Sequence, residues 1–359
     1  MKTAKKPNQL VAIDLFAGGG GLTLGLKNAG FLVSAAVEID TVAGVTYASN
    51  NPGTVLFSKD IKEVTGKELL ATSPTGKIDL IAACPPCQSF SSLTSKYSKK
   101  DSRDELINEF CRLVEELMPR TIMMENVPGL TKKGKHLFDP VIQRFKDVGY
   151  SIDYKILEVA DFGVPQRRKR LVVLGALNAD ICIPSPTHTE HPQNQPNLKK
   201  WVSVRDAISD LPNPIRLSES KLAGGPQQYG WNVTRDISEM NQERLRHLGE
   251  GADRTKLPQH LRPACHQGDF GFTNVYGRMA WDKPSPTITG GCTTPSKGRF
   301  GHPEEVRTIS VREAARLQTF PDNYVIKTDF VDKACLIIGN ALPPLFATAM
   351  AKICVQILK

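Results

Sequence analysis

The stretch LVAIDLFAGGGGLTLGLKNAGFLVSAAVEID, residues 10 to 40, decides how the rest of the chain is read. It opens on a short apolar run, breaks at a glycine turn, continues with leucines at 22, 24 and 26, and closes on a second apolar run ending in Glu38 and Asp40. The order is strand, turn, helix, strand: a βαβ unit. Glycines let the backbone approach a ligand closely, and the N–H groups at a helix start have no partner inside the helix. A nucleotide-like ligand at the end of the first strand follows. Glu38 lies about twenty residues beyond the glycines, where a carboxylate holds ribose hydroxyls. The glycine pattern is D-L-F-A-G-G-G-G rather than G-x-G-x-x-G, so a nicotinamide enzyme, or a tight turn with no ligand, fits this stretch as well.

The same alternation continues downstream. KIDLIAAC (77 to 84) reads as a buried strand, and Leu106, Ile107, Phe110, Leu113, Val114 and Leu117 mark the apolar face of the next helix. TIMMENVPGL (121 to 130) is another strand, Phe138 to Val148 has helical spacing, and YKILEVA and RLVVLGAL supply two more strands. Strands alternating with helices imply a doubly wound, Rossmann-like α/β sheet, whose ligands sit at the carboxyl ends of the strands. Gly18, Glu38, Cys87 and Glu125 all fall at such ends.

Composition narrows the classes. The formal net charge of +9 and the pI near 9.1 favour a polyanionic partner. No apolar stretch is expected to approach the roughly 20 residues of a membrane span, and the N-terminus MKTAKKPNQLVAIDLF shows no signal-peptide pattern. A cytoplasmic protein without membrane contact is the expectation. Eight scattered cysteines suit free thiols in a reducing compartment. Cys84 and Cys87 form the only C-x-x-C pair, in AACPPCQSFSS (82 to 92). A zinc site needs a second pair or a His partner, and His188 and His191 lie far downstream in a Pro- and Asn-rich segment. A redox dithiol would ordinarily open a helix, whereas this pair opens a polar loop. A single nucleophile that works with a cofactor, and no metal, remains.

From about residue 184 the βα alternation is lost and Pro, Gly, Asn and basic residues become frequent. The expected division is a catalytic and cofactor-binding domain at 1–183, a smaller irregular domain at 184–322, and a C-terminal segment at 323–359 that returns to the first domain.

Six motifs then stand in order: DLFAGGGG at 14 to 21, PPCQSFS at 85 to 91, ENV at 125 to 127, QRRKR at 166 to 170, RLQTFP at 316 to 321 and GNALPP at 339 to 344. Together they make the chain resemble the cytosine-C5 DNA methyltransferases, of bacterial or phage type, along nearly its whole length. The resemblance implies S-adenosylmethionine as cofactor and S-adenosylhomocysteine as product. It assigns Phe16, Gly18, Gly20, Gly21 and Leu22 to the methionine end, Glu38 and Ile39 to the ribose side, and Asp60 and Ile61 to the adenine, with Asn340 and Ala341 closing the pocket. It makes Cys87 the nucleophile, and Cys84, where family members often have glycine, a bystander that packs as a small apolar residue.

Cytosine C5 is a poor nucleophile until a thiolate adds at C6 and turns the ring into an enamine, so a cysteine is needed. Glu125 would hydrogen-bond ring N3 and the exocyclic amine as the adduct forms, and Arg168 and Arg170 would position the cytosine O2 and nearby phosphates. The base must leave the duplex to reach Cys87. The loop SFSSLTSKYSKKDSRDE would fold over double-stranded DNA, with Gln88, Ser91 and Arg103 as contacts. Segment 277 to 303 is where the resemblance places base readout, with Arg278, Lys297 and Arg299 as candidates. The expected enzyme acts as a monomer, in a restriction-modification system with a separate endonuclease or as an orphan methylase. A tRNA cytosine-5 methyltransferase shares the catalytic motifs and is the rival.

Overall fold

The computed structural model describes residues 9–90, 102–267 and 273–359. These divide into two compact units, one of 1–162, 169–186 and 342–359, the other of 163–168 and 187–341.

The first unit is built on a seven-stranded sheet. Its strands are β1 (Val11–Leu15), β2 (Leu32–Val37), β3 (Val55–Phe57), β4 (Leu80–Ala83), β5 (Thr121–Asn126), β6 (Tyr150–Glu158) and β7 (Lys169–Leu177). The spatial order is β3-β2-β1-β4-β5-β7-β6. Strands β1 to β5 pair in parallel, while β7 runs antiparallel between β5 and β6. Parallel strands need crossover helices, and the chain supplies α1 (Gly21–Ala29), α2 (Thr41–Asn50), α3 (Gly66–Ala71), α4 (Ile107–Leu117) and α5 (Lys135–Asp147). Burial on both faces explains why β4 reads as a continuous apolar run, and β1 as one broken only by Asp14, rather than as alternating strands. Val11, Ile13, Leu15, Ile81, Phe110, Leu113, Ile122, Phe145 and Val173 belong to one core cluster.

The strand order reverses between β1 and β4, because the chain winds outward from β1 through β2 to β3 and then crosses back. The crevice at the carboxyl ends of these strands is where ligands bind in such sheets. The C-terminal helix Pro344–Leu358 packs against α1, and Gly25 makes this possible: a Cβ there would stand 2.4 Å from that of Ala347.

The second unit has little regular structure. It holds two short parallel ladders, His188–Thr189 with Lys199–Lys200 and Ile215–Arg216 with Val233–Thr234, and short helices at Val204–Ile208, Leu217–Leu222, Glu239–His247, Val311–Leu317 and Val331–Asn340.

Three expectations change. The segment belonging with the first unit at its C-terminal end starts at Leu342 rather than 323, because helix Val331–Asn340 clusters with the second unit. Residues 163–168 also belong to the second unit, where the Gln166 and Arg167 backbone bonds to Ser285. Finally, Val331–Leu358 is long and apolar enough to span a membrane by composition, with mean hydropathy 1.6. The helix is nonetheless interrupted at 341–343, between Asn340 and Pro344, and 72% of the most apolar window is buried within the protein, as core helices are.

Candidate active site

The turn after β1 is the most constrained piece of backbone in the first unit. Phe16 adopts φ +61°, which is costly for a non-glycine residue, and Gly18 and Gly20 follow at +54° and +94°. The turn is held by Glu38, whose carboxylate accepts from Gly18 N at 2.7 Å and from Asp40 N at 2.7 Å. Burial raises the Glu38 carboxyl above its ordinary value, against the pull of these two donors. Ile39 beside it is 65% exposed, an uncovered apolar side chain at a strand end. Asp60 follows β3, where it caps a short 3-10 turn by accepting from Lys62 N, and Ile61 is buried beneath.

Beneath the glycine turn lies a group that sequence reasoning did not single out. Asp14 on β1 is fully buried, accepts from Thr23 Oγ1 at 2.6 Å, and through Thr23 is linked to the Tyr47 hydroxyl at 2.8 Å. Burial pushes its carboxyl up to about 7.

On the strand next to β1, Cys87 follows β4 and is only 5% exposed. Asn126, the last residue of β5, donates to Cys87 Sγ at 3.2 Å and to Pro85 O at 3.1 Å, while its own Oδ1 accepts from Val127 N at 2.7 Å. The amide nitrogen of Asn126 therefore ties the cysteine turn to the β5 end, and its oxygen is held by the next residue. Burial pushes the Cys87 thiol up to about 12; the Asn126 donor opposes this, and the carboxylates of Asp104 and Glu125 add to it.

Glu125 precedes Asn126, is buried, and meets Arg170 of β7 at 2.5 Å from Nε to Oε1. The antiparallel register sets Glu125 opposite Val172, two residues from Arg170 and on the same face. Cys84 stands next to Ala83, which is in register with Met124, so its thiol comes beside Glu125. Its pKa is raised well above the ordinary value, first by burial and then by the carboxylates of Glu125 and Asp14. A thiol, a carboxylate and a guanidinium thus converge at the carboxyl ends of β4 and β5, beside a glycine turn and the Glu38 carboxylate at the ends of β1 and β2.

The family model for C-5 cytosine-specific DNA methylases matches residues 10–356. The chain belongs to this family. It is 38% identical over 347 residues to the Type II methylase M.HgiDII of Herpetosiphon aurantiacus, covering 95% of this chain and 93% of the relative. It is 34% identical to the Type II methyltransferase M1.HphI of Haemophilus parahaemolyticus, covering 96% of this chain and 86% of that one. A solved DNA modification methyltransferase encoded within an E. coli prophage superposes with TM-score 0.73 at 27% identity, covering 98% of this chain and 99% of that structure. The protein is a DNA cytosine-5 methyltransferase.

Several residues expected at the methyltransferase site are placed otherwise. Arg168 belongs to the second unit, where it is buried and donates to Ile288 O at 2.9 Å and Gly339 O at 3.0 Å. It braces backbone there, and of the two arginines expected at the site, Arg168 and Arg170, it is Arg170 that meets Glu125. Arg278 is also buried: its guanidinium donates to Leu245 O, His302 O and Glu305 O at 2.9, 2.7 and 2.6 Å. With three carbonyls to hold, it is not a free reader of bases. Arg299 lays its stem against Gly277 and donates to Gly251 O at 3.1 Å, leaving exposed Lys297 as the candidate on this segment.

Gln88 opens a 3-10 turn, Gln88–Phe90, and Arg103 is exposed in the turn Ser102–Leu106. Ser91 and most of the loop expected to cover DNA lie outside the described residues. Asn340 ends helix Val331–Asn340 with an exposed side chain, and Ala341 follows, both in the second unit. Among the described residues, no group of three His, Cys, Asp or Glu side chains is placed to hold a metal.

Proposed function

We propose that the enzyme methylates C5 of a cytosine swung out of duplex DNA, through a covalent bond between Cys87 Sγ and cytosine C6, with S-adenosylmethionine as the methyl donor. The observation that carries this reading is the convergence of Cys87, Asn126, Glu125 and Arg170 at adjoining strand ends of one unit. S-adenosylmethionine would supply the methyl group as an electrophilic sulfonium. The residues present suit it: open space beyond the Gly18 Cα, the start of α1, Glu38 for the ribose, uncovered Ile39 and Asp60 for the base. Phe16, Gly20, Gly21, Leu22 and Ile61 complete that lining, and the GNALPP motif supports Asn340 and Ala341 closing it.

Cys87 must pass its proton to solvent water as its sulfur bonds C6, since burial pushes the thiol up to about 12 and little thiolate is present at neutral pH. Asn126 fixes the sulfur and favours its anion. Glu125 bonds N3 and the exocyclic amine, so that negative charge entering the ring is met by a proton at N3. Arg170 holds the Glu125 carboxylate from its far side and faces the cytosine O2. Loss of the C5 proton and expulsion of the thiolate then restore the cysteine.

The second unit, with Lys297, would recognise the DNA sequence, and Gln88, Ser91 and Arg103 would contact the strand around the extruded base. The names of the relatives support a Type II restriction-modification setting; the enzyme would act in a bacterial or phage-infected cytoplasm, as a monomer apart from any endonuclease.

The test incubates the protein with S-adenosylmethionine and duplex DNA containing 5-fluorocytosine, whose fluorine cannot leave as the proton would. A denaturation-resistant adduct that survives in Cys84→Ser and disappears in Cys87→Ser is expected. No adduct on DNA, with methylation of tRNA instead, would move the substrate to RNA.

A further inference from the structure

The segment GLTKKGKH, residues 129 to 136, follows the ENV motif and takes no part in the chemistry above. It forms the 3-10 turn Pro128–Thr131 and the start of α5, and it exposes Lys132, Lys133 and Lys135. Local folding does not account for these cations. A helix start carries partial positive charge and favours acidic neighbours, yet α5 has no acidic residue in its first turn and no side-chain cap at Gly134. Lys135 is offset by Asp139 at 3.7 Å. Lys132 and Lys133 have no carboxylate within ion-pair distance among the described residues. A sequence that opposes local electrostatic preference without compensation points to function.

The place of the turn supplies the partner. A Cβ on Gly129 would stand 2.0 Å from the Phe90 carbonyl oxygen, so the two backbones touch three residues from Cys87. The His136 ring meets the Phe90 ring edge-on at 6.2 Å between centroids. On its other side the turn packs against β7, which begins at exposed Lys169, next to Arg170. All of these residues belong to the first unit.

We propose that Lys132 and Lys133 form a phosphate-binding surface for the DNA strand that carries the target cytosine. This rests on the reading of DNA as substrate given above. A nucleotide swung toward Cys87 brings its flanking phosphates with it, and a cationic surface that abuts the Cys87 turn meets them. Lysines act here as point charges, so the surface holds backbone and reads no sequence.

The test measures duplex binding by fluorescence anisotropy over a range of salt concentrations. It compares wild type, a Lys132→Gln/Lys133→Gln double variant and a Lys132→Arg/Lys133→Arg double variant. The glutamine variant is expected to flatten the slope of log affinity against log salt by about 0.9 per lysine. It should weaken cognate and unrelated sequences alike, while the arginine variant keeps the wild-type slope. A neutral methylphosphonate at a phosphate flanking the target cytosine should weaken wild type and leave the glutamine variant unaffected. An unchanged slope in the glutamine variant, or a loss confined to one DNA sequence, overturns the proposal while the substrate reading stands. A wild type that binds and methylates no duplex DNA overturns both.

Discussion

At the strand ends of the first unit, buried groups keep capacity to react: Asp14 has one carboxylate oxygen without a hydrogen-bond partner, and the Cys87 thiol accepts a single side-chain donor. In the second unit, several buried arginines are tied to carbonyls or carboxylates. Arg278 holds three carbonyls; Arg312 donates to Gly230 O, Pro321 O and Tyr324 O; Arg307 bridges Glu305 and Glu313. The contrast follows from backbone accounting. A parallel sheet pairs its own N–H and C=O groups, which frees side chains at its ends. An irregular unit has carbonyls that no ladder satisfies, and guanidinium groups, with five donors each, pair them instead. Charge in the second unit is therefore a poor guide to DNA contacts, whereas the same residue type at position 170 reaches the Glu125 carboxylate at the strand ends.

The sharpest way to break this contrast is Cys87→Ser. Methyl incorporation is expected to fall below about 0.1% of wild type, because an alcohol is a far weaker nucleophile than a thiol, with the thermal melting midpoint nearly unchanged. A large drop in melting temperature would make Cys87 a packing residue instead.

Arg278→Ala should do the reverse. Three buried carbonyls lose their donor, at about 1–3 kcal/mol for each unsatisfied group, so denaturant unfolding should show a loss of several kcal/mol. Lys297→Ala on the neighbouring loop should stay within about 0.5 kcal/mol. Equal effects would remove the distinction between clamping and free cations.

The third test uses Asp14, whose folded value of about 7 lies above its ordinary 3.8. An acid raised in this way binds its proton more tightly when folded. Its contribution is complete below about pH 4 and is lost as pH climbs through about 7, at about 1.4 kcal/mol per pH unit. Asp14→Asn should flatten the stability profile across that window. A profile identical to wild type would show that Asp14 is not the titrating group.

The smallest effect is expected from Asn126→Ala. Losing the donor to Sγ should move Cys87 alkylation to still higher pH and lower kcat by about tenfold, with little change in KM for DNA. Alkylation unchanged across pH would leave Asn126 only its bond to Pro85.

Much of the first unit was legible in the sequence, because burial on both faces of a parallel sheet writes continuous apolar runs and crossover helices write a 3.6-residue period. Those signals are local, and the strands around Gly18, Glu38, Cys87 and Glu125 were placed from them. The motif order supplied the family, and the family supplied residue roles. Neither could say which arginines are free. Arg168 donates to carbonyls 120 and 171 residues away, and Arg278 to Leu245, His302 and Glu305; partner choice over such separations leaves no periodic trace. Likewise ENV marked Glu125, but only packing placed Asn126 against the Cys87 sulfur. Sequence alone determined the chemistry available and the strands that carry it. Tertiary structure decided which charges gather at the strand ends and which replace a missing ladder, because hydrogen-bond partners are assigned by three-dimensional proximity and burial rather than by position along the chain.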